Sequence, residues 1–194
     1  MTRVMVTAVF ARMPYVEYLQ SHIPDLEIVW DKERNAMETF LRATRLSGDD
    51  PIIRLEEDIC LTVGWREKIE ALIAARPDEV IQCFSRSKYD PSLGSRYKAG
   101  SSYIYNVCNY LPAGVSSGIV KHYETWADKE KYPTGNDYLI ADYLRANHLQ
   151  YWLEVPSLVN HAVTISQINR KRARSRQSTT FINPELTNFP EVRI

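Results

Sequence analysis

Through the first half of the chain, short runs rich in valine and isoleucine alternate with longer amphipathic stretches. Val4 to Phe10 (VMVTAVF) is apolar, β-branched and free of breakers, which predicts a buried strand. Val16, Leu19 and Ile23 then recur at helical spacing, after a proline suited to a first turn. Pro24 and Asp25 mark a turn, and Leu26 to Trp30 predicts a second strand. Asp31 is placed to cap a helix from about Glu33 to Leu46, with Ala36, Met37, Phe40, Leu41 and Leu46 inward, and SGDD ends it. Pro51 to Leu55 predicts a third strand. Gly64 to Ala75 predicts a helix that turns Trp65, Ile69, Leu72 and Ile73 inward, and Glu79 to Phe84 a fourth strand. Strand and helix in strict alternation predict an α/β domain of Rossmann type, with a mainly parallel sheet and helices on both faces.

The pattern changes after Phe84. SRSKYDPSLGSRYKAGSS is polar and carries glycine and proline, so it reads as a long loop. Two apolar runs, Val107 to Leu111 and Val115 to Val120, flank a Pro-Ala-Gly turn, and a helix follows through His122 and Trp126. A second helix covers about Asn136 to Asn147, and Gln150 to Glu154 predicts the last strand. From Ile168 onward the chain is polar and basic and reads as a loop or flexible tail. No internal repeat is visible.

A length of 194 residues suits one domain able to bury a core without disulfide or metal staples. The expected division is a ligand-binding half over 1–84, a second half over 85–168 and a basic tail over 169–194. A formal net charge of zero gives no global attraction to nucleic acid or anionic lipid. The charge is uneven, because Arg170, Lys171, Arg172, Arg174 and Arg176 follow one another with no acid between them. Cys60, Cys83 and Cys108 are widely spaced and lie in apolar surroundings, which predicts buried thiols of a reducing compartment. Neither a membrane span nor a leader with a small-residue cleavage site is evident, so a soluble cytoplasmic protein is expected.

The third predicted strand ends abruptly in Glu56, Glu57 and Asp58. In open α/β sheets ligands bind beyond the carboxyl ends of the strands, and an acid-x-acid pattern there can turn two carboxylates to one side. Mn²⁺ and Mg²⁺ take such oxygen ligands, usually together with substrate phosphates, and a cation would relieve the mutual repulsion. A solvated loop or an acid capping the next helix explains the same residues. No dinucleotide-binding, P-loop or nucleophile-elbow motif is present, and the cysteines and the other histidines (His22, His122, His148) lack ligand spacing.

The segments VMVTAVFAR, VWDKERNAMETFLRA and RLEEDICLTVGWREKIEALI, in this order, resemble those of small nucleotide-sugar-dependent glycosyltransferases of the GT-A fold. CNYLPAGVSSGIVKHYETW resembles the acceptor-side segment of that family, GNDYLIADYL its acid-bearing helix start and VPSLVNHAVTIS its late histidine segment. The resemblance implies a GT-A-like domain with a minimal acceptor lobe, a sugar nucleotide as donor (a UDP-sugar foremost) and a divalent metal, Mn²⁺ or Mg²⁺. It places the metal at Glu56, Asp58 and His161, and the nucleotide sugar against Thr7, Arg12, Asp31, Asn35 and Glu57. Asp137 takes the place of a base that deprotonates an acceptor hydroxyl on a glycan, a small molecule or a modified DNA base. Each has a plainer explanation: Asp31 as a cap, Asp137 as an acid at a helix N-terminus, His161 as a structural histidine. Asp142, later in the same helix, reads as solvated.

Two departures stand out. Glu56 replaces the aspartate that usually opens the metal motif. Arg54 interrupts a strand that is usually apolar throughout, and so marks either an edge strand or a pairing with an acid. The basic run has three readings: a solvated terminus, a diphosphate contact through Arg172 and Arg174, or a DNA-acceptor surface shared with Tyr97, Tyr103 and Tyr105. Two rival functions remain, another metal-dependent nucleotide phosphate enzyme and a non-catalytic nucleic-acid-binding protein.

Overall fold

The structure is a computed structural model that describes residues 2–100, 104–162 and 177–190. Its elements are β1 (Arg3–Ala8), a 3-10 turn at Phe10–Arg12, α1 (Met13–His22), β2 (Leu26–Trp30), α2 (Ala36–Ser47), β3 (Ile52–Glu56) and β4 (Ile59–Leu61). They continue with α3 (Trp65–Ala75), β5 (Val80–Gln82), α4 (Asp90–Leu93), β6 (Arg96–Ala99) and β7 (Cys108–Leu111). The last are α5 (Val115–Thr125), α6 (Asn136–Ala146), β8 (Gln150–Leu153) and β9 (Val159–His161). Seven strands form one sheet in the order β2-β1-β3-β7-β5-β8-β6, and β4 with β9 forms a separate antiparallel ribbon. β1, β2, β3, β5 and β8 run in one direction, whereas β6 and β7 run against them. The expected mainly parallel α/β sheet is therefore present.

Alternation along the strands divides the core into two layers. Val4, Val6, Ile53, Leu55 and Ile81 face α1 and α3, where Leu19, Trp65 and Ile69 meet them. Met5, Ile52, Val80 and Leu111 face the other way, onto Phe40 and Leu41 of α2, Ile119 of α5 and Leu139, Ile140 and Leu144 of α6. Helices thus cover both faces. No described helix is long and apolar enough to cross a membrane. All three cysteines are buried and unbridged.

Several local expectations change. The cap of α2 is Asn35, whose Oδ1 accepts from the Glu38 N–H at 3.1 Å. Asp31 stands one turn earlier and accepts from the Asn35 N–H at 2.9 Å, so the helix starts later than expected. The polar stretch after Phe84 is not one long loop, because α4 and the edge strand β6 form inside it. The run from Val115 is already helical, entered through Gly114 in a left-handed conformation (φ 77°). Residues 177–190 are no loose tail. Phe189 packs onto the α1/α3 core, and the Tyr18 hydroxyl donates to the Glu185 carbonyl at 2.9 Å while accepting from the Leu61 N–H at 2.9 Å.

Candidate active site

The carboxyl ends of β1, β2 and β3 lie side by side, and the acidic triplet leaves the sheet there. Thr7 stands opposite both Glu56 and Val29 in the parallel register, which brings the end of the first strand to the acids. Immediately after Asp58 the chain enters β4, whose antiparallel register sets Ile59 opposite His161. The Ala162 N–H closes this corner on the Asp58 carbonyl at 2.8 Å. A backbone ribbon therefore carries the histidine to the acids from about a hundred residues further along the chain.

Glu56 and Asp58 turn towards the histidine and Glu57 turns away, as the acid-x-acid reading requires. His161 Nε2 lies 3.2 Å from Glu56 Oε2, and Nδ1 lies 3.5 Å from Asp58 Oδ1. The ligand atoms of Glu56, Asp58 and His161 all lie within 4.8 Å of one another. Arg12 enters from the 3-10 turn, with Nη1 at 2.6 Å from Asp58 Oδ2 and 3.2 Å from Glu57 Oε1. Asp58 and His161 are only 7% and 5% exposed, so these charges interact with little screening by water.

The electrostatics follow from this packing. Burial disfavours a charged His161, but its contacts with Asp58 and Glu56 outweigh that and push its pKa up to about 9. Burial likewise works against the Asp58 carboxylate, yet His161 and Arg12 hold its pKa down at about 2. Glu57 goes the other way: burial first, then the neighbouring Asp58 charge, push it up to about 8. Arg12 and the His161 imidazole thus relieve the repulsion within the triplet, and burial beside Asp58 weakens the acidity of Glu57.

Two carboxylates and one imidazole form a donor set that fits Mn²⁺, and His161 Nε2 is buried without an aligned hydrogen-bond partner. Asp58 engages Arg12 through Oδ2 and presents Oδ1 on the side of His161.

The remaining candidates fall in different places. Asp31 and Asn35 engage in the local cap described above, and the Asp31 N–H donates to the Ala8 carbonyl at 2.7 Å. Asp137 lies in the first turn of α6, where its Oδ1 accepts the Asn106 N–H at 3.1 Å. Arg172, Arg174 and Tyr103 lie outside the described residues. Tyr97 sits on the edge strand β6, donates to Glu79 and packs edge-on to Trp152, whereas Tyr105 packs edge-on to Phe84. Asp142 is not solvated: it accepts from His122 across α5 and α6 at 2.7 Å and pairs with Arg145.

One feature escaped the sequence. Phe10, which reads as the end of a buried strand, is 56% exposed and lies flat on Trp30, with ring centroids 4.4 Å apart and planes within 1°. The pair forms an aromatic shelf just past the ends of β1 and β2.

No family model matches the sequence, and no curated protein matches it. The fold does have counterparts among solved structures. A putative glucose-1-phosphate thymidylyltransferase from Bacillus anthracis, solved with a sucrose, superposes with a TM-score of 0.52 at 12% identity, over 89% of this chain and 94% of that chain. A197 from STIV gives 0.49 at 11% identity, over 84% and 87%. A UDP-glucose pyrophosphorylase complexed with UDP-glucose gives 0.46 at 10% identity, over 78% and 72%. At such identities the likeness to the thymidylyltransferase establishes a shared α/β fold.

Proposed function

We propose that the chain is a metal-dependent enzyme of nucleotide sugars, and specifically a GT-A-type glycosyltransferase. The observation that carries this reading is the convergence of Glu56, Asp58 and His161 at the carboxyl edge of the sheet, where such folds bind their ligands. These three residues hold the ion, Mn²⁺ before Mg²⁺ because of the imidazole. When bound, the ion supplies Lewis-acid neutralisation of a diphosphate leaving group. Arg12 adds a fixed guanidinium beside the same phosphates, and Thr7 and Asp31 border the ribose. Phe10 offers its open face to the base. Glu57 holds a sugar or ribose hydroxyl by a hydrogen bond. Asp137 accepts the proton of the acceptor hydroxyl, on a glycan, a small molecule or a modified DNA base, while the sugar passes to that oxygen.

A second reading is favoured by the fold shared with a thymidylyltransferase: transfer of a nucleotidyl group to a sugar phosphate at the same metal. The products separate the two. Incubation with a panel of sugar nucleotides, Mn²⁺ and a panel of acceptor alcohols yields nucleoside diphosphate and a glycosylated acceptor under the first reading. A nucleoside triphosphate with a sugar 1-phosphate yields pyrophosphate under the second. Titration of Mn²⁺ into the native chain, followed by paramagnetic resonance, tests what both require, and an absence of stoichiometric binding overturns both.

A further inference from the structure

Arg54 has no part in the proposed chemistry and no evident reason to be where it is. It lies in β3 with β1 on one side and β7 on the other, and only 2% of it is exposed, so it does not mark an edge. Its guanidinium rests over the Phe40 ring at 4.1 Å, and its Nε is buried with no hydrogen-bond partner. Among the described residues it forms no ion pair, although Glu56 and Asp137 are the acids that act on it through space. Burying a cation without a paired acid is costly, and a similarly long apolar side chain would suit this layer better. Ile52, on the same face of the same strand, shows what packing alone would select.

The positive charge does serve one short segment. Arg54 Nη1 reaches Asn106 Oδ1 at 3.5 Å, and Asn109 Nδ2 donates to the same oxygen at 3.3 Å. Asn109 stands opposite both Arg54 and Gln82 in the sheet register, so the three make a polar row across β3, β7 and β5. This row holds Tyr105 as well, through Gln82 Oε1 at 2.8 Å and Asn109 Nδ2 at 3.0 Å. The segment held in this way touches both ends of the candidate site. Its Asn106 N–H donates to Asp137, and its Val107 carbonyl accepts the Glu56 N–H at 3.0 Å.

We infer that Arg54 is a positioning residue, which through Asn106 fixes Asp137 relative to the Glu56 end of β3. The acid on the acceptor side and the acid on the metal side are thereby held as one unit. The significance of this coupling rests on the proposed roles of Asp137 and Glu56, but its geometry is measurable without them.

Arg54→Met keeps the length of the side chain and its contact with Phe40 while removing the charge and the donors. The expected result is a melting temperature equal to or above that of the native chain, with the Asn106 amide exchanging at least tenfold faster and β1 amides unchanged. In the presence of a sugar nucleotide and Mn²⁺, turnover falls at least tenfold while the Mn²⁺ dissociation constant stays within threefold, and Arg54→Lys recovers part of the turnover. Asn106→Ala cuts the link but leaves the buried charge in place, and it accelerates exchange over residues 105–107 in the same way. Unchanged exchange at Asn106 in folded Arg54→Met overturns the inference. So does loss of protection throughout the sheet together with a lower melting temperature, or native exchange in Asn106→Ala. A native chain that binds no Mn²⁺ and turns over no sugar nucleotide defeats the proposed function instead, and the exchange comparison then decides the inference alone.

Discussion

Asp58 illustrates how a single side chain can be tied to both chemistry and stability. A strand-end acid reads in sequence as exposed and dispensable to the fold, whereas here it is enclosed by Arg12 and His161. Asp58→Asn should therefore abolish Mn²⁺ binding and also lower stability, by about 3–5 kcal/mol, the usual result of removing one partner from a buried pair. Chemical denaturation beside a Mn²⁺ titration measures both. His161 makes a second expectation, in pH. Its folded pKa of about 9 lies above the ordinary 6.5, so its charged form stabilises the fold fully below about pH 6.5. That contribution is lost as the pH rises through about 9, and His161→Gln should flatten the melting temperature over this range. Phe10 shows the opposite balance. More than half exposed, its truncation to alanine should change stability by no more than about 0.5 kcal/mol. If a base stacks on it, donor affinity falls about tenfold by calorimetry, in line with roughly 1–3 kcal/mol for base stacking on an aromatic ring. The acids were legible because a strand end in such a sheet is marked by abrupt polarity, whereas His161 was placed beside them only by the family resemblance. Arg12 was read from the sequence only as a candidate at the end of the first strand. Its pairing with Glu57 and Asp58 was not legible, because the 3-10 turn that brings it there leaves no pattern.

Among elements, length decided what could be read. β1, β2 and β3 carry five or six residues each and announce themselves. β4 and β9 carry three each, too few for any period, yet they set His161 against Asp58. The start of α5 was obscured because Val115 to Val120 reads as an apolar run behind a Pro-Ala-Gly turn, with Gly118 inside it. A methyl group there would collide with the distal ring and hydroxyl of Tyr143 from α6, so the glycine leaves room for that side chain, and alanine forces it to shift. Gly118→Ala should accordingly destabilise the chain by about 1–3 kcal/mol in a thermal melt, even though alanine is the better helix former. Residues 177–190 were concealed by their polar composition, because they attach through backbone groups: Val63 N–H to the Asn183 carbonyl and Glu185 N–H to that of Leu61. Tyr18→Phe removes the hydroxyl that satisfies Leu61 and Glu185 together. A loss of about 1–3 kcal/mol is expected on denaturant unfolding, the magnitude for polar groups left buried and unmet.

For the whole molecule, strand and helix alternation made the parallel character of the sheet plain, but not its order. The fourth strand in sequence order to join the sheet, β5, does not pair with β3; β7 lies between them and runs the other way. Nothing local encodes that choice, since it depends on which edges remain bare once the rest has packed. It also sets a timetable for synthesis. A ribosome that has released the first 84 residues has made β1, β2, β3 and β5, yet among the described residues β7 is the strand that joins β3 to β5. Until Leu111 has emerged, two apolar edges wait in the nascent chain without the strand that covers both, as open to a neighbouring polypeptide as to their own partner.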